Sequence, residues 1–146
     1  MGYHLEAYYL PSHREGPQML SSLEEVDEFI DGLLAQPEDF NLAELYLVER
    51  LNPDERFPSH QFFVGVDRKQ GMGALKYNDA NGGFASWAPW NADSEEPVFY
   101  NYVGTATEFP PASEIPIDHV RQAVKEFFSS GGQRPASVQW QEDTTL

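Results

Sequence analysis

The chain has 146 residues, no cysteine, and 24 acidic side chains against nine Lys and Arg, a formal net charge of −15. That length suits one domain, spanning residues 1–146, with a core of its own. The missing thiols exclude disulfides, cysteine nucleophiles and thiolate zinc sites. The charge disfavours nucleic-acid phosphates and anionic lipid as partners and leaves two roles, solubility or attraction to a basic partner.

Residues 3–10 are aromatic and alternate, with Tyr3, Leu5, Ala7 and Tyr9 on one face, which predicts a first strand. The same N-terminal stretch, MGYHLEAYYL, lacks the basic and apolar regions of a secretory signal, and no apolar run approaches the ~20 residues that span a bilayer. A cytoplasmic location is the expectation. Pro11 to Pro17 reads as a loop. SSLEEVDEFIDGLLAQP then predicts a helix, because Leu23, Val26, Phe29, Ile30, Leu33 and Leu34 recur at spacings of three and four. Ser21 or Ser22, followed three residues later by Glu24 or Glu25, supplies the start signal, and Pro37 marks the exit. Glu24, Glu25, Asp27, Glu28 and Asp31 make the outer face negative.

From Ala43 the rhythm becomes period two. The segments AELYLVE, QFFVGVD, GALKYN, GFASWA and PVFYNYVG read as strands, and the short turns between the middle ones predict antiparallel hairpins. Asn81-Gly82 is a strong turn signal, so the glycines of GALKYNDANGGFASW serve backbone turns rather than phosphate contacts. A second helix, IDHVRQAVKEFFSSGG, starts at Pro116, carries Ile117, Val120, Val124, Phe127 and Phe128 as its stripe, and ends at Gly131 or Gly132. Pro135 extends the chain into a last strand, ASVQWQ. The order β-α-β-β-β-β-β-α-β predicts an α+β fold: a mainly antiparallel sheet of about six or seven strands with two helices on one face.

Motifs that carry a reaction mechanism are missing. His4-Leu5-Glu6 matches the H-x-E fragment of zinc deaminases, but that chemistry also needs a cysteine pair. His13, His60 and His119 lack metal-ligand spacing. The NDANGG stretch fails as a calcium loop, because Gly83 and Phe84 stand where a ligand and a glycine are required. Gly71 and Gly73 form a lone G-x-G, and no nucleophile elbow is present. No catalytic residue, metal site or cofactor is predicted.

Between about residue 71 and about residue 142, four features follow one another. These are a glycine-flanked hairpin ending in an aromatic, the Tyr-rich PVFYNYVG, the run EFPPASEIPIDHVRQAVKEFF, and a glycine turn before RP-x-x-V-x-W. The ordered set resembles the first-numbered immunity protein family of bacterial polymorphic toxin systems. The resemblance implies a small α+β inhibitor rather than a catalyst, encoded beside a toxin gene. Its implied partner is a cognate toxin, often a deaminase that edits cytosine in DNA, bound without a cofactor. A toxin acting on DNA needs a basic substrate groove, to which this acidic chain would be steered.

On that reading Gly73, Gly83, Gly104, Pro110, Pro116, Gly132 and Pro135 are turn and cap positions, and Trp140 belongs to the core. The candidate toxin interface is SWAPWNADSEEPVFYNY, where aromatic anchors meet acids: Trp87, Trp90, Asp93, Glu95, Glu96, Tyr100 and Tyr102. Burial is the competing role for Trp87, which alternates with Ala85, and for Tyr100 and Tyr102, which share a face with Val98. Trp90, between Pro89 and Asn91, is the expected exposed aromatic. Two other readings stand beside this one: a small-ligand binder or enzyme using an aromatic and carboxylate pocket, and an acidic decoy that mimics DNA toward another basic protein.

Overall fold

A computed structural model describes residues 2–143 and Thr145. Its alternating segments form β1 (Leu5–Tyr8), β2 (Gln18–Leu20), β3 (Leu42–Leu47), β4 (His60–Asp67), β5 (Met72–Asp79), β6 (Gly82–Ser86), β7 (Val98–Tyr102), β8 (Thr105–Phe109), β9 (Ile115–Pro116) and β10 (Trp140–Glu142). The two periodic segments are α1 (Leu23–Leu34) and α2 (Ile117–Ser129). Seven strands form an antiparallel sheet in the order β10-β6-β5-β4-β3-β1-β2, and β9 adds to the end of β5 as the eighth. The expected α+β class, antiparallel sheet and pair of helices on one face are all present. The strand PVFYNYVG, however, lies outside this sheet: β7 and β8 make a separate hairpin.

Both helices form as their sequences require. Ser22 caps α1 by accepting the Glu25 N–H at 3.1 Å, while the Glu25 carboxylate reaches back to the Ser21 N–H at 2.7 Å. Val26, Phe29, Ile30 and Leu33 of α1 are buried against the sheet, as are Val120, Ala123, Val124 and Phe127 of α2. At the end of α2, Gly131 and Gly132 take positive φ, and the Gly132 N–H returns to the Phe127 carbonyl at 2.8 Å. The negative face of α1 is partly answered by its neighbour. Arg121 meets Asp27 and Asp31 at 3.1 and 2.9 Å, and Lys125 meets Asp27 at 2.8 Å.

Alternation along β4 divides the interior into two cores. Phe62, Val64 and Val66 face the helices, where the Phe62 and Phe127 rings lie 4.5 Å apart. On the opposite face, Leu42, Ala74, Tyr100 and Phe109 form a smaller core with Phe63, Val98 and Tyr102 at its edge. The β7–β8 hairpin thus makes a third layer. It fits because Gly65 has no side chain: a Cβ there would lie 2.7 Å from Cγ of the Tyr100 ring. Gly73, expected at a turn, sits inside β5, where a Cβ would meet the Gly65 carbonyl oxygen at 2.4 Å and a Val120 methyl at 2.9 Å. Trp140, expected in the core, is half-buried at its edge and donates its indole N–H to the Pro135 carbonyl at 2.7 Å.

Two buried polar groups lock the layers. Lys76 pairs with Asp143 at 3.1 Å and lies 4.8 Å from the Phe109 ring centre, which ties the chain after β10 to the hairpin side of the sheet. His60 is 2% exposed and accepts the Leu47 N–H through Nε2 at 2.8 Å. Burial, helped by the Arg50 charge, pushes its pKa down from 6.5 to about 4.

Two measurements test this construction. In urea unfolding, Gly73→Ala should lose ~2 kcal/mol or more, because the obstruction is backbone and cannot swing aside. Gly16→Ala, with nothing within 4 Å, should stay within ~0.5 kcal/mol of the parent. His60 is depressed in the fold, so its contribution is complete above its unfolded value of 6.5 and is lost as pH falls toward about 4. His60→Gln keeps an acceptor for Leu47, and it should reduce the stability lost between neutral pH and about pH 4.5 by ~2 kcal/mol.

Candidate functional site

The segment between β6 and β7 is anchored at its base. The Trp87 N–H donates to the Gln139 carbonyl at 2.8 Å and the Ala88 N–H to the Ala112 carbonyl at 2.7 Å. Pro89 then sets a single 3-10 turn, Pro89–Asn91. The Ser94 N–H closes onto the Asn91 carbonyl at 3.0 Å, and Glu96 caps back onto the Ser94 hydroxyl at 3.4 Å. Backbone hydrogen bonds therefore present these side chains from a defined loop.

On that loop Trp90 is 63% exposed, and Asp93, Glu95 and Glu96 are exposed beyond it. Trp87 is half-buried. Tyr100 is a core residue, 1% exposed, and its hydroxyl donates to Glu114 Oε2 at 2.6 Å. Burial, then the Glu114 carboxylate, raises its pKa well above the usual phenol range. In the free chain Tyr100 supports the site from beneath and presents no surface of its own.

Glu96 and Tyr100 do meet at one place, a cleft of about 410 Å³ beside the loop. Its walls also carry Asp67, Gln70, Phe99 and Glu114. Three carboxylates face it and, among the described residues, no lysine or arginine lines it, so it suits a cationic side chain. Tyr102, half-buried, stands elsewhere. It lines a hollow of about 510 Å³ with Tyr8, Arg14, Glu44 and Tyr46. The seven sequence candidates are therefore divided between the loop with its cleft and a second region at the other end of β7.

Phe99, at 54% exposure, was missed by sequence reading. The signal was present: the alternation that turns Val98, Tyr100 and Tyr102 inward turns Phe99 outward. Asp67 and Glu114 carried no such signal, since only the fold brings the β4–β5 turn and the residue before β9 to this loop. Among the described residues, no group of three or more His, Asp or Glu is placed to hold a metal ion.

An acidic α+β scaffold thus carries an exposed tryptophan on a carboxylate-bearing loop that is fixed by hydrogen bonds. The sequence profile of the family described as Immunity protein Imm1 matches residues 14–142, and the chain belongs to that family. The match reaches from before β2 to the end of β10, so it takes in α1, β3 and β4, where no diagnostic motif was legible. A comparison with curated proteins finds no match. Membership implies a toxin-neutralising immunity function, exercised on a toxin partner by a non-enzymatic inhibitor.

The burial pattern makes a paired expectation. Tyr100→Phe, which leaves Glu114 without its donor, should cost about 1–2 kcal/mol in chemical denaturation. Trp90→Ala should change stability by no more than ~0.5 kcal/mol.

Proposed function

We propose that this chain neutralises a deaminase-type toxin, one acting on cytosine in DNA, by binding it stoichiometrically in the cytoplasm and covering its basic substrate groove. One observation carries the reading: an immunity-family scaffold presents an exposed Trp90, flanked by Asp93, Glu95 and Glu96, from a loop fixed by its own hydrogen bonds. A groove that holds a DNA backbone must be positive, so a partner of formal charge −15 is drawn to it over distance. Steering supplies the association rate; an anchored aromatic supplies the residence time. Trp90 is the anchor, the three exposed acids follow it on the same loop, and the neighbouring cleft takes a lysine or arginine from the groove's rim. A standard interface would bury about 1,600 Å² in total, and no cofactor takes part.

The test is co-expression with the toxin domain encoded beside this gene, followed by purification and a cytosine deaminase assay. A one-to-one complex with no deaminase activity is expected. Trp90→Ala should weaken it by ~2 kcal/mol, and Glu95→Lys with Glu96→Lys should mainly slow association. A purely electrostatic decoy would instead lose nearly all affinity as salt rises. An active toxin and no complex at moderate salt would overturn the proposal.

A further inference from the structure

The β7–β8 hairpin covers only part of the sheet face that looks away from the helices. Beyond its tip, β1 and β3 leave a patch whose register alternates tyrosine and glutamate: Glu6 opposes Tyr46, and Tyr8 opposes Glu44. The Tyr8 and Tyr46 rings meet edge to face with centres 6.1 Å apart. Tyr8 donates its hydroxyl to Glu6 at 3.2 Å, and Tyr46 donates its own to Glu44, which also accepts from Gln61 at 2.8 Å. Every hydroxyl proton here points toward a carboxylate of the patch. What faces solvent is ring surface, oxygen lone pairs and two glutamates that, among the described residues, pair with no Lys or Arg.

Hollows flank Tyr46 on both sides. One, of about 510 Å³, runs toward Tyr102 and Arg14; the other, of about 610 Å³, runs toward Glu55, Asp79 and Phe57. Phe57, at 71% exposure, is the most exposed large apolar side chain among the described residues. The patch and the cleft beside the Trp90 loop lie at opposite ends of β7, about 13 Å apart along the strand. One partner can span both within a standard interface.

We infer that this tyrosine–glutamate patch is a second contact surface for the same toxin, taking an arginine-bearing segment across Tyr8 and Tyr46 with Phe57 packed at its edge. The inference rests on the immunity reading. A guanidinium satisfies both parts of the patch at once, because it stacks on a tyrosine face while its N–H groups reach a carboxylate. A second copy of this chain does not fit, since it would bring the same glutamates and the same net charge of −15 to the contact.

The experiment titrates the catalytically inactivated toxin domain with parent, Phe57→Ser, Glu6→Lys and Trp90→Ala chains, with thermal unfolding of each as a check on folding. Phe57→Ser removes an exposed ring and should melt like the parent, whereas Glu6→Lys also takes the acceptor from the Tyr8 hydroxyl, so its binding is read well below its own melting midpoint. Each is expected to weaken binding by about tenfold. Parent-like affinity for both, with Trp90→Ala still impaired, would confine the contact to the loop and overturn the inference while sparing the immunity reading. Failure of the parent itself to bind removes both. A concentration-dependent dimer of this chain that Phe57→Ser abolishes would assign the patch to self-association and also overturn the inference.

Discussion

The third layer of this fold depends on one close approach, the Tyr100 ring lying against the bare backbone of Gly65. A sheet with helices on one face would otherwise leave Leu42, Phe63 and Ala74 wet on the other. Tyr100 closes that face from the hairpin, and its hydroxyl finds Glu114, so the ring is buried without an unsatisfied polar atom. Gly73 repeats the device one strand over, letting β5 pass close to β4 and to Val120 of α2. Two missing side chains in adjacent strands thus let both layers sit close to the sheet. The hairpin's extent then decides which parts of that face are core and which remain open at its two ends.

Charge is organised by the same architecture. Of nine Lys and Arg residues, Lys69, Lys76, Arg121 and Lys125 are held in ion pairs within the chain. Arg50 is held by the Gly132 carbonyl and the Tyr77 hydroxyl, and Arg134 lies over the Phe84 ring. The cations are largely spent on internal contacts, where α2 answers α1 and β5 answers the chain after β10. Among the described residues, most of the acids have no such partner. The unpaired acids therefore include the loop carrying Asp93, Glu95 and Glu96, the open sheet face with Glu6 and Glu44, and the outer face of α1 with Glu24, Glu25 and Glu28.

Both helices could be read directly from sequence, because a stripe at three and four spacing, started by a serine cap in α1 and by Pro116 in α2, has few other solutions. The β5–β6 hairpin was equally legible from Asn81-Gly82, although its turn is Ala80-Asn81 and Gly82 already pairs with Asp79 in β6. The loop carrying Trp90 was found because proline and acidic residues interrupt an alternating pattern there. The partners of that loop were not legible. Asp67 and Glu114 lie far from it along the chain, and no local periodicity reports on a contact between a turn, a loop and a strand end. The tyrosine–glutamate patch was hidden for another reason: each of its strands reads as ordinary alternation, and only the register between β1 and β3 sets tyrosine beside glutamate.

Sequence alone determined the class of the fold, the position of both helices and the acidic character of the surface, because each follows from local pattern or from composition. It also carried enough of the family's ordered motifs to point to an immunity protein. Tertiary structure decided where each candidate residue sits. Tyr100 and Trp90 are both aromatic residues of one acidic segment, yet one is core and the other is surface. The difference lies in whether a glycine on a distant strand leaves room for the ring, and that complementarity exists only once the strands are placed.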